Sequence, residues 1–207
     1  MIVAANQRPD TETLVTSQGI IRHTRNVTLS DDPVNALRDL PFTYPERGWT
    51  AWSQPPPGYH AVQRSRVLGV GPEVFERAGA ALLNWRMHRR AGIDLIATDP
   101  RAVVGARVLL RIGLGPLALT APCQVVYTVH DDHRHGFAYG TLTGHPVSGE
   151  ESFIVSLGAA DDRVTFTVRA FSRPATALAR LCGPFTPLAQ QFGTGRYLAA
   201  LATLSAT

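Results

Sequence analysis

Val164-Thr-Phe-Thr-Val-Arg-Ala-Phe171 alternates: Val164, Phe166, Val168 and Ala170 take one side of an extended chain, Thr165, Thr167 and Arg169 the other. A two-residue period of this kind marks a half-buried antiparallel strand. Four more strands precede it, at Ala106 to Gly113, Cys123 to Val129, Gly136 to Thr143 and Glu151 to Leu157, with turn residues between them. Within them Glu151 shares a face with Phe153, Val155 and Leu157, while Val125 lines up with Tyr127 and Val129, and Phe137 with Tyr139 and Thr141. An earlier strand, His60 to Leu68, leads into a helix that Pro72 opens and that runs to about Arg90 before Gly92 stops it. Val74, Phe75, Ala78, Ala81, Leu82 and Trp85 form its apolar stripe, with His88 at the stripe's edge. After the last strand, residues 175–204 are helical in character, interrupted around Gly183-Pro184, with Leu181, Phe185, Leu188 and Phe192 spaced along one side.

Strand, helix, a run of antiparallel strands and a long C-terminal helix describe an α+β fold: a curved antiparallel sheet gripping one helix, with an apolar cavity between them. The chain of 207 residues is 44% hydrophobic and 17% charged, enough apolar surface for one main core. Residues 37–204 are expected to form that domain. Residues 1–36, polar and without period, read as a mobile or loosely docked leader. Between 37 and 59 the composition shifts to Pro41, Phe42, Tyr44, Pro45, Trp49, Trp52, Pro55, Pro56, Pro57 and Tyr59, which predicts a stiff arm lying along the domain.

Composition excludes several functions. All 20 basic residues are arginine, so Schiff-base chemistry and a phosphate-binding P-loop lysine are ruled out. The net charge of +4 is concentrated between Arg64 and Arg111, where nine arginines face four acids. The run Arg86-Met-His-Arg-Arg90 falls at a helix end, where cations complement the helix dipole, and no recognition motif accompanies it, so no nucleic-acid partner is expected. No apolar stretch approaches the roughly 18–20 residues of a membrane-spanning helix, and the N-terminus lacks the form of a secretory signal; cytoplasmic localisation is the expectation. Cys123 and Cys182 match no metal spacing and read as small buried apolar residues. His130-Asp-Asp-His133-Arg-His135 sits at a hairpin turn, where side chains are expected to diverge rather than converge on a metal. Gly69-Val-Gly71 lacks the third glycine of a dinucleotide fingerprint, and no Gly-x-Ser-x-Gly elbow is present. Neither metal nor cofactor is expected.

The string Gly136-Phe-Ala-Tyr-Gly-Thr-Leu-Thr-Gly-His145-Pro-Val-Ser-Gly-Glu-Glu151-Ser-Phe resembles the signature of DUF1990, a family of uncharacterised proteins also called UPF0548. Phe42-Thr-Tyr-Pro-Glu46, Pro57-Gly-Tyr59, Trp85-Arg-Met-His88, Phe171-Ser-Arg-Pro174 and Arg196-Tyr-Leu198 resemble further family elements, in the same order. Gly48-Trp49-Thr50 departs from the pattern. The resemblance implies no established activity. Its order of elements is similar to the helix-grip fold of START-like and Bet v 1-like ligand carriers and of polyketide aromatase/cyclases, an analogy of architecture that does not fix function.

The stretch from Thr141 to Glu151 carries the most chemistry. Gly144, Pro146 and Gly149 shape a tight connection around which Tyr139, His145 and Glu151 can converge. Adjacent carboxylates on a strand point to opposite faces, so Glu150 and Glu151 cannot work as a pair, and Glu151 alone belongs to the apolar face. Desolvation there raises its pKa and suits a general base, with His145 as proton shuttle or base and Tyr139 as acid. The structural alternative stands beside it: Glu151 accepting hydrogen bonds from the turn or from an arginine, and His145 steadying the turn. Arg173 reads as an internal partner for Glu151 or as a ligand contact. Trp85, His88, Tyr127, Thr141, Phe153, Phe166 and Phe185 are the candidate lining of a site for a small hydrophobic molecule, each also able to serve as plain core. Two functions follow: binding of such a molecule without a cofactor, or cyclisation, dehydration or isomerisation of a polyketide-like or isoprenoid-like substrate in the same cavity.

Overall fold

The computed structural model describes residues 35–52, 54–113, 118–175 and 185–206, with side chains from 193 onward in the last stretch. Seven strands form one sheet: β1 (His60–Val70), β2 (Asp94–Ala97), β3 (Arg107–Ile112), β4 (Leu119–Asp131), β5 (Arg134–Thr141), β6 (Val147–Leu157) and β7 (Arg163–Pro174). Their order is β1-β7-β6-β5-β4-β3-β2, with every pairing antiparallel. β2 to β7 are thus a plain meander, and β1 returns beside β7. The helices α1 (Pro72–Leu83) and α2 (Arg86–Arg90) carry the chain from one edge of the sheet to the other, and α3 (Phe185–Ala206) closes the inner face. This is a curved antiparallel sheet around a C-terminal helix, as the alternation implies. The leader, apart from residues 35 and 36, lies outside the described residues, as do Cys182 and the Gly183-Pro184 break.

The core sits between the inner face and the helices. Val108, Leu110, Cys123, Val125, Phe137, Tyr139, Phe153, Val155, Val164, Phe166 and Val168 come from the sheet; Phe75, Ala78, Leu82, Tyr197, Leu198 and Leu201 from α1 and α3. Arg77 reaches across from α1 and donates from Nε and Nη2 to the Ser205 carbonyl (3.3 and 3.1 Å), holding the end of α3, where carbonyls lack helical partners.

Two local features depart from the simple periodic reading. The first helix does not run unbroken to Arg90. Asn84 ends α1, and Trp85 takes a left-handed conformation (φ 61°, ψ 8°), which costs an ordinary residue roughly 1–2 kcal/mol. The break re-aims the next turn, so that Trp85, Met87 and His88 are all buried while Arg86, Arg89 and Arg90 stay outside. In β4, a bulge between Val125 and Tyr127 shifts the register: Val125 faces Tyr139, but Tyr127 faces Ala138. An extra residue reverses every face beyond it. Tyr127 therefore leaves the inner face, and its place in the expected cavity lining is corrected below. The short edge strand β2 was invisible to periodicity, because four residues cannot establish it.

The arm covers the outer face around Glu150. Thr43 N–H donates to the Thr141 carbonyl (3.0 Å), Tyr44 packs edge-on against Phe171, and the Arg107 guanidinium holds the Leu37 and Leu40 carbonyls. The centre of attachment is Glu150, 3% exposed. Its Oε2 accepts from Tyr44 OH and Gly48 N–H (both 2.7 Å), its Oε1 from Thr50 N–H (2.9 Å) and Thr50 Oγ1 (2.5 Å). From the other side Arg169 donates to the Thr50 and Trp52 carbonyls (3.1 and 2.8 Å). Gly140 makes the approach possible: a Cβ there would lie 2.0 Å from the Tyr44 hydroxyl.

Candidate functional site

Residues aligned across the inner face build the site. Glu151 pairs in register with Tyr139 on β5 and with Ala170 on β7, and Ala170 with Val62 on β1, so these four form one transverse row. Tyr139 is buried, but Glu151, Ala170 and Val62 are only half-buried. Glu151 thus sits on the inner face at the margin of the core, directly across from Tyr139. Tyr139 OH donates to its Oε2 (3.1 Å), and Tyr197 of α3 hydrogen-bonds Tyr139. No described residue donates to Oε1. Burial raises the Glu151 carboxyl to about 7 from an ordinary 4.5, and the Tyr139 hydrogen bond only partly offsets this. Burial likewise pushes Tyr139, Tyr197 and the Cys123 thiol far up, so all three stay protonated.

His88 stands beside this relay. Its ring lies 5.2 Å from Tyr197, 5.4 Å from Phe153, 5.6 Å from Trp85 and 5.9 Å from Tyr139, centroid to centroid. It is fully buried, and neither ring nitrogen has a hydrogen-bond partner. Desolvation first, and then the Arg89 charge, lower it to about 3, so the imidazole is neutral and offers one donor and one acceptor to the interior. Trp85 anchors the wall through Nε1 to the Asp99 carbonyl (3.2 Å) and an edge-on contact with Phe137.

The structure brings together Trp85, His88, Tyr139, Glu151 and Phe153, with Phe166 deeper in the same core. Four expected site residues lie elsewhere. Tyr127, turned outward by the bulge, shares a hydrogen bond with Thr50 of the arm (2.9 Å). Thr141 spends its hydroxyl on Gly149 N–H (3.0 Å) and on Thr43 (2.5 Å), pinning turn and arm. Arg173 points to the outer face, 4.7 Å over the Tyr59 ring, and pairs with no inner carboxylate. His145, lowered to about 4 by burial, keeps its hydrogen bonds within its own turn, where Nδ1 accepts from Val147 N–H (3.1 Å). The side chain of Phe185 lies outside the described residues. Sequence reasoning missed Tyr197: it sits in Arg196-Tyr-Leu198 but five residues beyond Phe192, off the stripe as read. The hairpin imidazoles also differ from expectation, since His130 and His135 pair across β4 and β5, Nδ1 to Nδ1 at 2.8 Å. No group of three or more metal-ligating side chains occurs among the described residues.

A sheet of this order closed by a C-terminal helix defines the helix-grip class of Bet v 1-like and START-like proteins. Two solved structures share it: a hypothetical protein of Helicobacter pylori (TM-score 0.57, 13% identity, 80% of this chain and 96% of that one) and the Zhui aromatase/cyclase of Streptomyces (TM-score 0.53, 13% identity, 71% and 93%). Within that class the chain belongs to the DUF1990 family, a domain of unknown function, matched over residues 43–200. A UPF0548 protein of Deinococcus radiodurans is 32% identical over 174 residues, covering 77% of this chain and 85% of that protein.

Proposed function

We propose that the protein binds a small hydrophobic molecule between the inner face of the sheet and α3, against Glu151, Tyr139, Tyr197 and His88. One observation carries this reading: the interior keeps polar groups that a sealed core would not. An unpaired buried donor or acceptor costs about 1–3 kcal/mol, and His88 has one of each. Glu151 adds a carboxyl with one donor, and no second, among the described residues. A ligand with hydrogen-bonding groups satisfies all of them, while the surrounding rings take up its apolar part. The exposed Trp49 and Trp52 of the arm lie on the opposite face of the sheet and do not cover this site.

A neutral hydrophobic fluorophore, N-phenyl-1-naphthylamine, is the test. One equivalent is expected to bind saturably, and Ala170→Phe, which sets a ring directly across from Glu151 on the inner face, is expected to weaken binding by about tenfold or more with the fold retained by circular dichroism. Binding indifferent to the plug would place the ligand elsewhere, and no binding would mean an interior filled by its own side chains.

A second reading, proton-transfer catalysis on a polyketide-like or isoprenoid-like substrate, is favoured by the Glu151 value near 7, matched to a base working at neutral pH. The Glu151 carboxylate takes a proton from carbon, and Tyr139, whose one hydroxyl proton is freed from Glu151 as that oxygen is protonated, turns to donate to the oxyanion that develops. Glu151→Gln separates the readings: an enzyme keeps binding and loses conversion, whereas a carrier shows no conversion in either form.

A further inference from the structure

We infer that residues 10–16 of this chain dock as an added antiparallel strand along the outer edge of β1, with Asp10 opposite Arg66 and Glu12 opposite Arg64. β1 pairs with β7 on one side, and no described strand lies on its other side. Its register is regular from His60 to Val67, where a bulge interrupts it, and along that length only Val62 is as much as half-buried. An edge strand offers N–H and C=O groups for another extended chain to pair with. Arg64 and Arg66 stand two residues apart on the inner side, in the rows of Val168 and Phe166, and both are exposed. Neither β1 nor β7 contains an acid, and Arg163, Arg169 and Arg173 add to the positive charge. The edge therefore suits an extended segment with carboxylates at alternate positions.

One segment of the chain has that pattern. Asp10 and Glu12 are the only acids in the sequence spaced by two, and Thr11, Thr13, Val15 and Thr16 around them favour extended backbone. Pairing Asp10 with Arg66 sets Thr11 beside Ser65, Thr13 beside Gln63 and Leu14 beside Val62, so that each side chain meets one of its own kind or opposite charge. Leu14 then extends the row that runs from Val62 through Ala170 to Glu151. Pro9 falls at the start of the added strand, opposite Val67, where the ladder ends and a missing N–H is tolerated. The reach is ample. Arg107 holds the Leu37 and Leu40 carbonyls beside β3, about 24 Å from β1 across five strand spacings. Residues 17–34 span about 60 Å when extended. β1 of a second copy fits the same edge worse, because antiparallel pairing about Ser65 sets Arg64 against Arg66 twice.

Amide hydrogen exchange on the full chain tests this. Residues 10–16 are expected to exchange about tenfold or more slowly than an unstructured peptide of the same sequence. Asp10→Arg with Glu12→Arg sets like charges against Arg66 and Arg64 and is expected to abolish that protection, and adding Arg64→Glu with Arg66→Glu is expected to restore it. Asp10→Asn with Glu12→Gln, which changes nothing in the folded domain, is expected to fall between the native and reversed chains, so the test stands even if the β1 reversal does not fold by circular dichroism. Exchange of residues 10–16 at the unstructured rate in the native chain overturns the proposal, as does protection that survives reversal of both acids. Protection unchanged by hundredfold dilution supports docking within one chain; protection lost on dilution means that the strand comes from a second copy and overturns it.

Discussion

Replacing Glu150 with alanine is expected to lower stability by roughly 3–5 kcal/mol through the donors it strands, a large part of the approximately 5–15 kcal/mol typical of a folded domain. One carboxylate collects four donors from Tyr44, Gly48 and Thr50, so its loss strands all of them under the arm together. Each stranded donor costs about 1–3 kcal/mol unless water reaches it. Water entry means that the arm lifts, which gives the loss a local signature. Arg47 lies between two of the attachment points and should become a tryptic cleavage site under native conditions. Glu150→Gln should fall between the two, since its amide keeps one acceptor and turns a donor toward other donors. An unchanged urea midpoint with Arg47 still protected would show that the aromatic contacts of Tyr44 and Tyr59 hold the arm without Glu150.

Glu151→Gln is expected to do the opposite at alkaline pH. In the folded protein Glu151 titrates near 7, above its ordinary 4.5, so the folded state holds its proton more tightly than the unfolded chain. Stability is therefore complete below about pH 4.5 and declines as the pH rises through 7, by up to about 3 kcal/mol. Glutamine resembles the protonated acid and escapes this loss. The variant should be more stable than the native chain at about pH 8, with the difference closing as the pH falls. His88 and His145, lowered to about 3 and 4, destabilise both proteins alike as the pH drops below their ordinary 6.5 and cancel in the comparison. Parallel profiles for the two proteins would mean that Glu151 is not desolvated.

The opposed effects at neighbouring residues follow from the strand period, and this much was legible in the sequence. Adjacent positions face opposite ways, so one glutamate belongs to the arm and the other to the interior. Sheet, helix order and inner stripe are legible for the same reason: burial imposes a period on the residues that share a face. The features that escape are those in which one residue breaks a period. The bulge before Tyr127 leaves no compositional mark, yet it carries a pocket candidate to the far side. Trp85 adopts a positive φ that its side chain disfavours, so propensity alone runs the helix straight through. Tyr197 belongs to a face that only the packing of α3 against the sheet defines. Glu150 read as the outward half of a pair, because the arm that buries it lies about 100 residues away in sequence.

The most direct test of a ligand site under α3 is native mass spectrometry of the protein purified from its own host. A folded species heavier than the chain by a small organic mass, which disappears on denaturation and is depleted in Ala170→Phe, is the predicted result. A folded species at the bare chain mass in every preparation would contradict it.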